Sequence, residues 1–259
     1  MTQQLDELLG CAEDIAHSAG EVLLERFGRP GRDVQAKSSP TDLVSEADLA
    51  AERTLRHLLA RHRPGDAVLG EEGGQDERGE TGLRWVVDPL DGTVNFLFGI
   101  PQWAVSVACE DSEGTLVGVV HDPLRGETFA ARRDGPATLD GAPIARTERD
   151  DLATALVATG FAYDASVRAA QAEVAARVLP RVRDLRRLGS AALDLAWTAA
   201  GRYDAYYERA LNPWDLAAGG LICRRAGLEV RPLPATGSLP AGLLAAPAAL
   251  AGPLLELVK

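Results

Sequence analysis

Apolar side chains recur at Leu5, Leu8, Leu9, Ala12, Ile15, Ala16, Ala19, Val22 and Leu23, a helical spacing that predicts an amphipathic helix over 3–28. Prolines, glycines and serines in 28–41 break the pattern and predict a loop with a short strand at 34–36. A second helix is expected over 45–61, with Leu49, Leu55, Leu58 and Leu59 on one face, stopping at His62-Arg63-Pro64-Gly65. From there to about 145 the pattern turns to strands: Ala67-Val68-Leu69, Trp85-Val86-Val87, and runs over 103–109, 115–120 and 128–131, with Asp140-Gly141 as a hairpin signal.

The second half alternates. Strands are expected at 155–157, 182–185 and 205–207, each followed by a helix, over 165–179, 190–200 and 214–226; strands at 228–231 and 243–245 and a helix over 247–257 complete the chain. Two halves follow, 1–148 as an α+β unit and 149–259 as an α/β unit, with the boundary in the polar stretch around 145–152.

Composition narrows what this fold can do. At 259 residues and 46% hydrophobic, the chain can bury a substantial core. A net charge of -11, with basic residues scattered, argues against a nucleic-acid surface. Cys11, Cys109 and Cys223 lie far apart in apolar stretches and read as small buried hydrophobes. Without a basic leader or a membrane-length apolar run, the expected compartment is the cytoplasm.

Carboxylates gather at predicted strand ends. Glu71 and Glu72 follow one strand, Asp88 and Asp91 the next, and Asp215 opens a helix far downstream. Pro89 and Gly92 set the turn that can converge Asp88, Asp91 and the Leu90 carbonyl, an oxygen set suited to Mg²⁺. Each piece alone has a plainer explanation. Pro-Leu-Asp-Gly is commonly a surface turn, Glu71-Glu72 a solvated loop, Ser45-x-x-Asp48 a capping box, and Asn212-Pro213-Trp214-Asp215 a helix start. If the carboxylates do converge, a divalent cation is needed to offset their repulsion.

All these pieces occur together and in order. Through Ser39-Pro-Thr-Asp-Leu-Val-Ser-Glu-Ala-Asp48, Gly70-Glu-Glu72, Trp85-Val-Val-Asp-Pro-Leu-Asp-Gly-Thr-Val-Asn-Phe96, Leu188-Gly-Ser-Ala-Ala192, and Asp204-Ala-Tyr-Tyr-Glu208 with Pro213-Trp-Asp-Leu-Ala-Ala217, the sequence resembles the inositol monophosphatase family over nearly its whole length. The resemblance implies an α/β fold, a layered αβαβα sandwich of the inositol monophosphatase/fructose-1,6-bisphosphatase type. It implies two or three Mg²⁺ per site: one held by Glu71, Asp88 and the Leu90 carbonyl, one by Asp88, Asp91 and Asp215, and a weaker third near Glu71 and the supporting Glu72.

Within that arrangement the catalytic residues are Thr93, Asp48 and Glu71, with Thr93 backed by Asp48 to orient a metal-activated water for in-line attack. The amides of Gly92 and Thr93 would cradle the phosphate, and Asp91, Ser190, Ala191 and Glu208 would face a polyol leaving group. The implied activity is lithium-sensitive hydrolysis of a small phosphorylated polyol, inositol 1-phosphate first, by a homodimer. Histidinol phosphate, fructose 1,6-bisphosphate or nucleotide 3'-phosphates are alternative substrates on the same scaffold, and a regulatory binding protein retaining the fold is an alternative role. Arg186 and Arg187 stay open between substrate contact and a solvent or dimer surface. No role is assigned to 160–164, and the four histidines lie outside every motif.

Overall fold

The structure is a computed structural model that describes residues 2–28, 34–36, 43–75 and 79–259. Helix α1 (Thr2–Leu24) buries Leu5, Leu8, Ala12, Ile15, Ala16, Ala19 and Leu23, the stripe read from the sequence, and ends a turn earlier than expected. Strand β1 (Val34–Ala36) pairs antiparallel with β2 (Leu43–Ser45). The remainder of that predicted loop, including Ser39, Pro40, Thr41 and Asp42 of the motif ending at Asp48, lies outside the described residues. Helix α2 (Glu46–His62) starts on a Ser45 cap and lays Leu55 and Leu59 into the core.

Strands β3 (Ala67–Gly70), β4 (Gly74–Gln75) and β5 (Arg84–Asp91), the one-turn helix α3 (Thr93–Leu97), then β6 (Ala104–Asp111), β7 (Gly114–Asp122), β8 (Glu127–Arg132), β9 (Ala137–Leu139) and β10 (Ala142–Pro143) follow. The eight strands form one sheet in the order β10-β9-β8-β7-β6-β5-β3-β4. Asp140 and Gly141, at φ 50° and 78°, make the two-residue turn between β9 and β10 that the Asp-Gly signal predicts.

Between Pro143 and Leu156 the chain leaves this sheet for a second. That sheet contains β11 (Leu156–Thr159), β12 (Asp184–Arg186), β13 (Ala205–Arg209), β14 (Glu229–Leu233) and β15 (Gly242–Ala246), in the order β12-β11-β13-β15-β14. Helices α4 (Ala165–Val178), α5 (Ala191–Ala199), α6 (Pro213–Arg225) and α7 (Ala248–Val258) flank it.

Three apolar cores join five layers, the middle one spanning both faces of the α5/α6 layer. Leu8, Ile15 and Leu55 of α1 and α2 pack on Trp85, Val87 and Val107 of the large sheet. Its other face, with Val86, Ala108 and Val120, meets Leu193 and Leu195 of α5, Ile222 of α6 and Tyr206 of β13. Val157, Tyr207 and Leu244 then cover Val174 of α4 and Leu250 and Leu254 of α7. The order is α/β/α/β/α, as the resemblance implies. Trp85 and Val87 point one way from β5 and Val86 the other, so both faces of β5 are buried; this explains its unbroken apolar run ahead of Asp88.

Candidate active site

The pairing of β3 with β5 is parallel, Gly70 opposite Val87, so both strands deliver their C-terminal ends to the same edge. Glu71 follows one of them, and Asp88 and Asp91 close the other. In a regular strand, residues three apart face opposite sides. Here Asp88 opposes Ser106 and Asp91 opposes Ala104, so β5 carries one extra residue, and this bulge lets both aspartates serve one side. Leu90 packs its side chain into the first core, while its N–H donates to Asp88 Oδ1 at 2.9 Å. Gly92 turns the chain at φ 99°, and a Cβ there would stand 2.9 Å from the Gln102 carbonyl oxygen.

Asp215 comes from the first turn of α6, where one carboxylate oxygen accepts from Asn212 N–H at 2.7 Å. Carboxylate oxygens of Asp88, Asp91 and Asp215 all lie within 4.8 Å of one another. Ser190 Oγ–H and Ala192 N–H, the latter at 2.8 Å, donate to Asp91 Oδ2 and tie it to the start of α5.

The electrostatics would suit a cation. Burial, then the charges of Glu71, Asp91 and Asp215, push the Asp88 carboxyl well above its usual range, and a hydrogen bond with Glu71 adds to this. Asp215 is raised likewise by burial and by Asp91. Burial raises Asp91 to about 6 against the opposing hydrogen bonds of Ser190 and Ala192. Convergent, mutually repelling carboxylates fit a divalent ion with oxygen ligands, and Leu90 lines the same cavity.

That cavity holds about 320 Å³. Glu71, Asp88, Leu90, Asp91, Gly92, Thr93, Ala191, Glu208 and Asp215, all expected at the site, line it. Thr93 Oγ1 sits 2.9 Å from Asp48 Oδ1 and 3.1 Å from the Leu90 carbonyl. Asp48 is fully buried, which raises its pKa against the hydrogen bonds from Ser45 and Thr93. Glu208 is pushed up to about 7, chiefly by burial, while Tyr206 O–H donates to its Oε2 at 2.9 Å.

Three expected residues do not line the cavity, and of these Asp48 lies behind Thr93. The Ser190 hydroxyl lies between Asp91 and the Leu193 N–H of α5, and Glu72 turns its own N–H onto Glu52. Phe161, Ala162, Tyr163 and Asp164, to which the sequence motifs assign no role, also line the cavity, and so does Arg187, the one basic side chain among the described lining residues. Arg186 instead pairs with Asp184 at 2.5 Å. The two-residue alternation of a strand, which puts Tyr206 and Glu208 on one side of β13, was the signal available for Tyr206.

A sequence model of the inositol monophosphatase family matches residues 4–255. A Mycobacterium leprae protein named inositol-1-monophosphatase is 48% identical over 209 residues, spanning 78% of this chain and 72% of that one. An Escherichia coli K12 protein named Nus factor SuhB is 37% identical over 221 residues, spanning 85% of this chain and 83% of its own. Among solved structures, the extragenic suppressor protein suhB of Bartonella henselae superposes with a TM-score of 0.90 at 31% identity, covering 97% of this chain and 98% of that one. Mycobacterium tuberculosis SuhB gives 0.82 at 38%, covering 97% and 95%.

Proposed function

The chain belongs to the inositol monophosphatase family, and from that premise we propose that it is a Mg²⁺-dependent phosphomonoesterase acting on a small polyol phosphate, with inositol 1-phosphate the favoured substrate. The convergence of Asp88, Asp91 and Asp215 within 4.8 Å in the cavity lining carries this reading.

Glu71, Asp88, Asp91, Asp215 and the Leu90 carbonyl would hold the cations. When bound, Mg²⁺ supplies charge that offsets the phosphate oxygens and acidifies water. Thr93 orients the attacking water: its hydroxyl donates to Asp48 Oδ1, leaving Oγ1 lone pairs toward the cavity. The water's proton passes to Thr93 Oγ1 as the threonine proton moves to Asp48, whose burial makes it the better base. The amides of Gly92 and Thr93 offer donors to the phosphate. Glu208, held by Tyr206, and the main chain at Ala191 meet the hydroxyls of the leaving alcohol.

Phe98 and Ile100, 75% and 48% exposed beside α3, support a homodimer through that face. The likeness to a protein named Nus factor SuhB favours a second reading, a regulatory binding protein that keeps the fold. Phosphate release from inositol 1-phosphate, histidinol phosphate, fructose 1,6-bisphosphate and a nucleotide 3'-phosphate, with and without Mg²⁺, tests the first. Release from none overturns it. An Asp88→Asn chain that keeps its cellular role after losing hydrolysis would establish the second.

A further inference from the structure

We propose that Glu52 is a positioning residue for Glu71, its carboxylate, braced by Arg56, holding the main chain of the 71–73 turn and so the carboxylate that Glu71 presents to the cavity. The inference rests on the metal-binding reading of that cavity.

Glu52 lies one turn after Asp48 on α2, so the two acids share a helix face, Asp48 reaching Thr93 and Glu52 reaching the β3–β4 turn. Only 3% of Glu52 is exposed. A carboxylate buried to that degree is tolerated only when its charge and lone pairs are met. Oε2 accepts from Glu72 N–H at 2.7 Å; Oε1 accepts from Gly73 N–H at 2.8 Å and from Arg56 Nε–H at 2.7 Å. Arg56 then donates through Nη2 to the Gly74 carbonyl at 2.6 Å.

The turn is shaped around this pair. A Cβ at Gly70 would stand 2.5 Å from Glu52 Oε1, and one at Gly73 2.6 Å from the same atom. Gly70 and Gly74 pair across the hairpin, so the three residues between them, starting with Glu71, have both ends fixed by β3 and β4 and their middle fixed by Glu52. A side chain that helps to bind a cation loses affinity when the group holding its backbone is removed, because the ordering cost then falls on binding.

The test uses the full chain freed of metal. Mn²⁺ alone is titrated by calorimetry, and amide hydrogen exchange is followed across 69–75 before metal is added. Glu52→Gln keeps the size of the side chain but gives it an amide that cannot accept from both N–H groups and Arg56. It is expected to weaken Mn²⁺ by about 10- to 100-fold and to speed exchange at Glu72 and Gly73. Asp66→Asn removes a carboxylate that binds Arg63, Thr81 and Trp85 away from the turn, so it should lower the melting temperature without moving Mn²⁺ affinity. If Glu52→Gln does not fold, Arg56→Gln releases Gly74 and should weaken Mn²⁺ in the same direction. Mn²⁺ affinity within about twofold of the unmodified chain in the folded variant overturns the proposal. An unmodified chain that binds no Mn²⁺ overturns it together with the metal reading. One that binds Mn²⁺ but releases no phosphate overturns only the hydrolase reading and leaves the variant comparison to decide the role of Glu52.

Discussion

Thr93 Oγ1 lies 2.9 Å from Asp48 Oδ1, joining the turn after β5 to the first turn of α2 across 45 residues of sequence. The other oxygen of the same carboxylate accepts from Ser45 N–H at 2.9 Å and completes the helix cap. One buried acid therefore fixes both a helix start and the hydroxyl at the cavity, and the two duties can be separated by mutation.

Thr93→Ala removes the hydroxyl and leaves the cap intact. It is expected to lower kcat by about 10²- to 10⁴-fold, with little change in melting temperature. Asp48→Ala loses its half of the capping box as well, the bond from Ser45 N–H, and is expected to cost about 1 kcal/mol of stability together with the activity. Steady-state phosphate release and thermal melts on both variants check this; a Thr93→Ala enzyme with unchanged kcat removes Thr93 from the proton path.

Asp215→Asn removes one of the three convergent charges. Turnover is expected to be nearly abolished while the fold survives, and the metal-free protein should melt higher because repulsion around Asp88 is relieved. In the unmodified chain, Mg²⁺ at about a hundred times its Kd should stabilise by ~2.7 kcal/mol, an increment the variant loses. The pH sign follows from Asp91, whose carboxyl moves from 3.8 to about 6 on folding. Between those values the folded chain keeps a proton that the unfolded chain has given up, so this contribution to metal-free stability is lost as pH rises through about 6. Asp91→Asn should flatten that slope in chelator. Unchanged activity of Asp215→Asn at saturating Mg²⁺ refutes the ligand set.

The elements that could be read from the chain are those with enough residues to show a period. α1, α2 and the long strands β5 to β8 declare themselves by apolar spacing, whereas β4, two residues long, has none to show. Asp88 and Asp91 stood out because Pro89 and Gly92 mark a turn, but the bulge that puts them on one side depends on pairing with β6, a partner the local sequence does not name. Glu52 and Arg56 illustrate the opposite failure. At i and i+4 on a helix they read as an ordinary surface ion pair, and only the packing of Gly70 and Gly73 against them shows Glu52 buried under the turn with Arg56 half-buried beside it. Ser190 was expected at the substrate, yet its position as the cap of α5 commits its hydroxyl to Asp91.

His17 and His121 pack edge to face at 4.4 Å and share the Thr128 hydroxyl, at 2.9 and 3.1 Å. Burial, with His17 adding to it, lowers His121 from 6.5 to about 4; the Glu127 backbone and Asp140 oppose the shift, and Glu13 faces His17 on α1. Between those values the unfolded chain takes up a proton that the folded chain refuses, so stability is lost as pH falls from 6.5 toward 4, with a slope below about 1.4 kcal/mol per pH unit. This runs against the Asp91 contribution. The difference between the unmodified chain and His121→Gln in urea denaturation at pH 7 and pH 5 isolates it; equal pH dependence in the two proteins disproves it.

Glu208→Gln separates recognition of the alcohol from chemistry on the phosphate. Glu208 lines the cavity and accepts from Tyr206, and it is absent from the Asp88, Asp91 and Asp215 cluster, so its loss should leave cation binding untouched. A buried carboxylate that accepts hydrogen bonds from substrate hydroxyls is worth about 1.5–3 kcal/mol for each bond. With inositol 1-phosphate, kcat/KM should therefore fall at least tenfold, since about 1.4 kcal/mol is a factor of ten. With p-nitrophenyl phosphate, whose leaving group has no hydroxyl to offer, kcat/KM should stay close to that of the unmodified chain. Equal losses on both substrates would show that Glu208 supports the site as a whole and that discrimination of the alcohol lies elsewhere on the wall, with Arg187 the next residue to substitute.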